Sequence, residues 1–220
     1  MGFLKKLFGG AKEENTTAKK SFTDEEFETD YELKSKGLEE VLGTSNGIVG
    51  HAIIPFEIGG AVDMYYYDKH IPGTAMVTME LLDPAGNGPK PNRIGTYELI
   101  AFTKEKYNEN DTDENQTAFN LIERRYCGIF TMIGNYSFQA VLNPNETIEV
   151  PNNTDSNYCL LFDKHADFKI GDRDHHLLLC LEVFEKEMNF ARKYGSDVLL
   201  QIMKDKGHYP YSDLDRKPVI

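Results

Sequence analysis

Apolar positions along this chain recur first with a helical period and then with a period of two. Thr23 and Glu26 form a capping-box pattern, after which Phe27, Tyr31, Leu38, Val41 and Leu42 return at helical spacing. A first helix is predicted there, weakened by Gly37, and the Gly-Thr-Ser-Asn-Gly cluster after it predicts a turn. HAIIPFEIGG reads as extended chain punctuated by Pro and Gly. Residues 62–67 and 75–82 are rich in β-branched and aromatic side chains and read as two strands joined by a turn-forming Asp-Lys-His-Ile-Pro-Gly segment. Alternation divides the triple tyrosine between faces: Val62, Met64 and Tyr66 share one, Asp63, Tyr65 and Tyr67 the other.

A Pro- and Gly-rich loop follows, then a third strand over residues 96–103, in which Glu98 is a charge inside an otherwise apolar run. The polar stretch KYNENDTDENQT predicts a solvated loop, and Ala118, Leu121, Ile122, Tyr126, Ile129, Phe130 and Ile133 predict a helix beginning near Gln116. An Asn-Pro-Asn turn leads to TIEVP, and strands are predicted at 158–162 and 176–183, the latter uninterrupted enough to be central. Phe184, Met188 and Ala191 continue helically to Gly195, and a second short helix carries Leu199, Leu200, Ile202 and Met203 to Gly207. The tail HYPYSDLDRKPVI is expected to lie over the surface. Residues 1–22 read as a flexible basic and polar segment, and 23–220 as one α+β domain with a central mixed sheet flanked by helices.

Charge narrows the partners. Twenty-four Lys and Arg against 36 Asp and Glu give a formal net charge of -12, which repels a phosphate backbone and favours a basic protein. Nucleic acid is therefore not expected as a partner. Cys127, Cys159 and Cys180 lie far apart without metal-like spacing and are expected as reduced, packed thiols. No apolar run approaches the ~20 residues of a spanning helix, and MGFLKKLFGG lacks a signal-peptide core, so a cytoplasmic location is expected. The first ten residues form a short amphipathic stretch too brief to anchor, and no membrane contact is expected of them.

No nucleophile elbow, phosphate loop, dinucleotide fingerprint or zinc-hydrolase motif occurs, and no cofactor is expected. KHADFKIGDRDHH offers His165, Asp167, Asp172, Asp174, His175 and His176 as donors for a divalent metal, the basis of an alternative reading as a metal-dependent hydrolase. The plainer reading is a solvated acidic turn between two strands. Asp63 or Glu98 could also pair with His51 or His70 as general acid and base.

The order of pieces resembles the suppressor of fused family, particularly its bacterial single-domain members. GAVDMYYY is similar to the family's hydrophobic Asp-Ile-Tyr strand, AMVTM to its Leu-Val-Thr strand and YELI to its Glu-Leu strand. LEVFEKEMNFARKYGSDVLL is similar to its late strand-helix-Gly-helix signature, and DLDRKPV to the ending of bacterial members. The likeness covers roughly residues 37–220, and it departs where the family has Gly-Met-Ser and this chain has Glu80, Leu81 and Leu82. The resemblance implies a non-enzymatic module that binds a protein or peptide, in animals through a second domain that helps clamp a transcription-factor peptide by strand addition. For a single-domain chain it implies use as an immunity protein against a basic toxin domain. Asp63, Tyr65, Tyr67 and Asp68 are the expected contacts, since tyrosine supplies large amphipathic contact area.

Overall fold

A computed structural model describes residues 21–108, 117–152 and 157–220. The expected flexibility and absence of membrane contact at the N-terminus fall on residues 1–20, outside the described residues, as does Gln116. Helix α1 (Asp24–Leu42) starts at the capping box: Thr23 Oγ accepts the Glu26 N–H at 3.2 Å, and the Glu26 carboxylate accepts the Thr23 N–H at 2.7 Å. The short strand β1 (Val49–Gly50) and a 3₁₀ turn at Phe56–Ile58 precede β2 (Met64–Tyr67), β3 (Thr74–Val77) and β4 (Tyr97–Thr103). After α2 (Ala118–Ser137) come β5 (Thr147–Pro151), β6 (Asn157–Ile170), β7 (Arg173–Glu182), α3 (Glu185–Tyr194) and α4 (Ser196–Asp205). The strands form one sheet in the order β1-β2-β3-β4-β7-β6-β5, in which β4 and β7 run parallel and all other neighbours antiparallel. This is the α+β class with a mixed sheet flanked by helices.

Helices cover both faces, so the sheet is the middle of three layers. On one face Tyr65, Tyr67, Val77, Ile100, Phe102 and Leu179 pack with α1 (Leu38, Leu42), α3 (Met188, Ala191) and α4 (Leu199, Met203). On the other, Met64, Tyr66, Met76, Leu99 and Leu178 pack with Phe119, Tyr126, Phe130 and Ile133 of α2. The tyrosines alternate as their spacing predicts, yet Tyr65, Tyr66 and Tyr67 are all buried because both faces are covered.

Three elements differ from expectation. Strand β3 stops at Val77 because the Thr78 hydroxyl accepts the Leu99 N–H at 2.9 Å, a bond the ladder would otherwise use, and residues 78–82 turn irregularly. The expected solvated turn in KHADFKIGDRDHH is instead the long arm of a hairpin: β6 and β7 pair from Leu160↔Glu182 to Ile170↔Arg173 and turn at Gly171, whose φ is 59°. Lys164, Asp167 and Lys169 face outward while Phe168 and Ile170 pack under α1, so a period of two lies beneath the charges. The tail is built into the fold. Pairing of β4 with β7 ends at Ile100, leaving the backbone beyond it open, and Tyr211 bridges Phe102 there in parallel while the Ser212 N–H bonds the Phe102 carbonyl at 2.9 Å. Val219 donates its N–H to Glu187 at 2.8 Å, and Arg216 bonds both oxygens of that carboxylate.

Candidate binding groove

One buried ion pair shapes the region where the expected contacts lie. Lys34 of α1 and Glu98 of β4, with side chains 2% exposed, meet at 3.0 Å. Lys34 Nζ also donates to the carbonyls of Met79 at 2.5 Å and Leu82 at 2.8 Å. Glu98 accepts from the Thr78 hydroxyl at 2.7 Å and from the Leu81 and Leu82 N–H groups at 3.3 and 3.4 Å. The pair thereby satisfies the backbone of a segment that forms no regular ladder, the condition for burying both charges.

That segment carries Met79 and Glu80 into a groove between α1 and β2, with a volume of about 450 Å³. Phe27, Tyr31, Tyr65 and Met79 supply its apolar surface, and the rings of Tyr31 and Tyr65 lie tilted with centroids 6.0 Å apart. Glu28, Glu32, Asp63 and Glu80 bring four carboxyl groups to it, together with His51. Asp63 fastens the chain beside β1 to β2, accepting from His51 Nδ1 at 2.7 Å and from the Ala52 N–H at 2.8 Å. Glu80 in turn accepts the Asp63 N–H, and burial, with Asp63, Glu98 and Glu57 adding like charge, raises its carboxyl to about 7. Among the described residues Glu28 and Glu32 have no cationic partner.

Of the four expected contacts, Asp63 and Tyr65 line this groove. Tyr67 is 1% exposed in the core beneath α1, where burial raises its phenol, so its hydroxyl is not offered at the surface. Asp68 is exposed beyond the far end of β2, about 16 Å from Asp63 at strand rise. Phe27, Tyr31 and Glu80 were not among the expected contacts. Phe27 and Tyr31 belong to the helical stripe, but 42% and 38% exposure sets them apart from its buried members, and Glu80 is the first residue of the departure from the family pattern.

Of the proposed acid–base pairs, His51 and Asp63 meet, whereas Glu98 faces Lys34, and His70 Nε2 lies 2.9 Å from His165 Nε2. The six proposed metal donors are separated, and no three His, Cys, Asp or Glu side chains are grouped to hold a metal ion among the described residues. Alternation along the hairpin explains this. Asp167 and Asp174 turn outward to Lys164 and Lys169, both at 2.7 Å, and Asp172 is exposed in the turn. His175 bonds the Thr96 hydroxyl at 2.6 Å and His176 approaches the Asn92 amide at 3.3 Å. Burial lowers His165, His175 and His176 to about 4, which keeps them neutral packing groups near pH 7.

The fold and groove define a class: a single mixed sheet between helical layers, with an acidic, aromatic cleft lined by residues of the first helix and the second strand. The structure aligns with a chain of the Sufu–Fu complex crystal structure at a TM-score of 0.54 and 16% identity, covering 88% of this chain and 91% of that one. A crystal structure of Drosophila Suppressor of Fused aligns at a TM-score of 0.49 and 15% identity, covering 79% of this chain and 45% of that one. No family model and no curated protein matches the chain. The chain thus has a suppressor-of-fused-like fold. Among the described residues, no helix is long and apolar enough to cross a membrane.

Proposed function

We propose that this chain is a non-enzymatic protein-interaction module of the suppressor-of-fused type, which takes a protein or peptide partner into the groove between α1 and β2. The observation that carries the reading is the company the groove keeps. Exposed Phe27 and Tyr31 stand on one side, and the loop fastened by Asp63 presents Ile53, Ile54 and Ile58 at 101%, 54% and 75% exposure beside it. Clustered apolar side chains left in water beside a concave aromatic cleft are the anatomy of a protein-binding surface. The Sufu–Fu complex supplies a precedent for partner binding on this fold. Asp63 and Tyr65 make contact in this reading, while Tyr67 supports the strand from beneath and Asp68 lies outside the groove.

The finer reading is a cytoplasmic bacterial protein that neutralises a basic toxin domain. The net charge of -12 supports it, since such a field draws in a basic partner and repels nucleic acid. Affinity capture from the native host in gentle salt tests the module, comparing the wild type with Ile53→Ser and Tyr31→Ala. A partner retained by the wild type and lost from both folded variants is expected; recovery of none by the wild type overturns the proposal. A toxin gene adjoining this one would support the immunity role, and a metabolic operon would refute it.

A further inference from the structure

The groove is selective in its chemistry as well as apolar. Phe27, Tyr31, Tyr65 and Met79 give it aromatic and thioether surface, four carboxyl groups line it as well, and among the described residues the only basic side chain there is His51. An apolar ligand would fill that surface and leave Glu28 and Glu32, which have no cationic partner among the described residues, without a counter-charge. An anion would be repelled. The group that satisfies both surfaces is a cation on an aliphatic stem, and the guanidinium is the better fit. Its flat face stacks on tyrosine, its edge donates to carboxylates in pairs, and it loses less by leaving water than an ammonium does. At about 450 Å³ the space admits a whole side chain together with part of the chain bearing it.

We propose that the groove between α1 and β2 is a receptor for an arginine side chain presented by a basic protein partner, its guanidinium held against Tyr31 and Tyr65 by Glu28, Glu32 and Glu80. Asp63 adds its charge while its oxygens remain engaged with His51 and Ala52. Glu28 and Glu32 reach the groove from α1, and Glu80 reaches it because the Lys34–Glu98 pair turns residues 78–82 out of the strand. The proposal rests on the interaction reading above and adds to it the chemistry of the side chain that is recognised.

Titration of the full chain with acetyl-Leu-Arg-Leu-amide tests it, read by the Met79 methyl resonance and the ring resonances of Tyr31 and Tyr65. The citrulline peptide, neutral but nearly the same shape, is the control. Saturable shifts at these residues, with the arginine peptide binding at least about tenfold more tightly, are expected for a charge-assisted, ring-stacked guanidinium. Glu28→Gln with Glu32→Gln changes two exposed residues and should weaken the arginine peptide about tenfold while leaving the citrulline peptide unchanged. Equal binding of the two peptides, or no shift at Met79 with either, overturns the arginine receptor. Those results would leave the interaction module standing, because its own test is loss of a captured partner on changing Ile53 or Tyr31.

Discussion

Replacing Lys34 by methionine should unfold far more of this protein than one surface charge would suggest. Methionine fills nearly the same volume, but it leaves the Glu98 carboxylate without its cation at 3.0 Å, and the Met79 and Leu82 carbonyls without donors at 2.5 and 2.8 Å. Both side chains are 2% exposed, so water cannot substitute. Removing one member of a buried pair costs about 3–5 kcal/mol, and the three contacts of this ammonium place the expected loss near 4 kcal/mol. That is a large part of the roughly 5–15 kcal/mol that holds a domain folded.

Urea unfolding at pH 7 and 25 °C measures the loss, provided the slope with denaturant is unchanged. Lys34→Met combined with Glu98→Gln removes both charges, while the amide can still accept from Thr78 and donate to one orphaned carbonyl. It should recover about half of the loss, so that the coupling in the double-mutant cycle is roughly 2 kcal/mol larger than the cost of Glu98→Gln alone. If Lys34→Met costs less than about 1 kcal/mol, or the double variant loses the sum of the single changes, the pair does not organise this region.

Glycines give an opposed pair of predictions. A Cβ at Gly37 would lie 1.9 Å from the Lys169 carbonyl oxygen, so Gly37→Ala should cost about 3 kcal/mol by forcing α1 off β6, whereas Gly128→Ala, with nothing within 4 Å, should stabilise α2 by roughly 0.5–1 kcal/mol; urea midpoints decide both. Arg216→Ala strips the cation from a Glu187 side chain that is 0% exposed and should cost about 3–5 kcal/mol, with faster hydrogen exchange at Val219; unchanged exchange would mean the tail is held without that pair. Stability should also peak between about pH 6 and 7, measured by urea unfolding across pH. His165, His175 and His176, lowered from 6.5 to about 4, stay neutral in the fold while the unfolded chain gains their protons, so stability falls as pH drops through that window. Glu80 and Glu182, raised from 4.5 to about 7, hold protons that the unfolded chain releases, so stability falls as pH rises through theirs; a steady climb to pH 8 would refute this assignment.

Local pattern carried much of the architecture and little of its closure. The capping box, the helical stripes and the alternation in MYYY follow from the positions of single residues, and each is present in the fold. Alternation says which tyrosines share a face; it does not say whether a helix lies on that face, and α1 reaches Tyr67 through contacts distant in sequence. The outer end of the β6–β7 hairpin was hidden because six of the thirteen residues from 164 to 176 are charged, although Phe168 and Ile170 alternate inward between the exposed Asp167 and Lys169. Lys34 falls between Tyr31 and Leu38 at the spacing of the apolar stripe, and Glu98 interrupts an apolar strand, so each was a visible anomaly. Their being partners, 64 positions apart, depends on how α1 crosses the sheet, which no local period specifies.

The same pair explains why the groove exists at all. Residues 75–82 have the composition of one continuous strand, and continued alternation from Met76 on the α2 face would send Thr78, Glu80 and Leu82 into the core beneath α2. Glu80 would then be a buried charge facing Phe130 and Ile133. The observed segment keeps alternation as far as Met79, on the α1 face, and then breaks it: Leu81 crosses to the α2 face, and Glu80 reaches the groove. Ending the strand exposes backbone groups that must be satisfied, and Thr78, Lys34 and Glu98 supply their partners. A hydrophobic replacement for the ion pair could match its stability, but it could not bond those carbonyls and amides, so the strand would have reason to continue. The buried charges therefore act on conformation, and through it on whether a carboxylate stands at the mouth of the cleft.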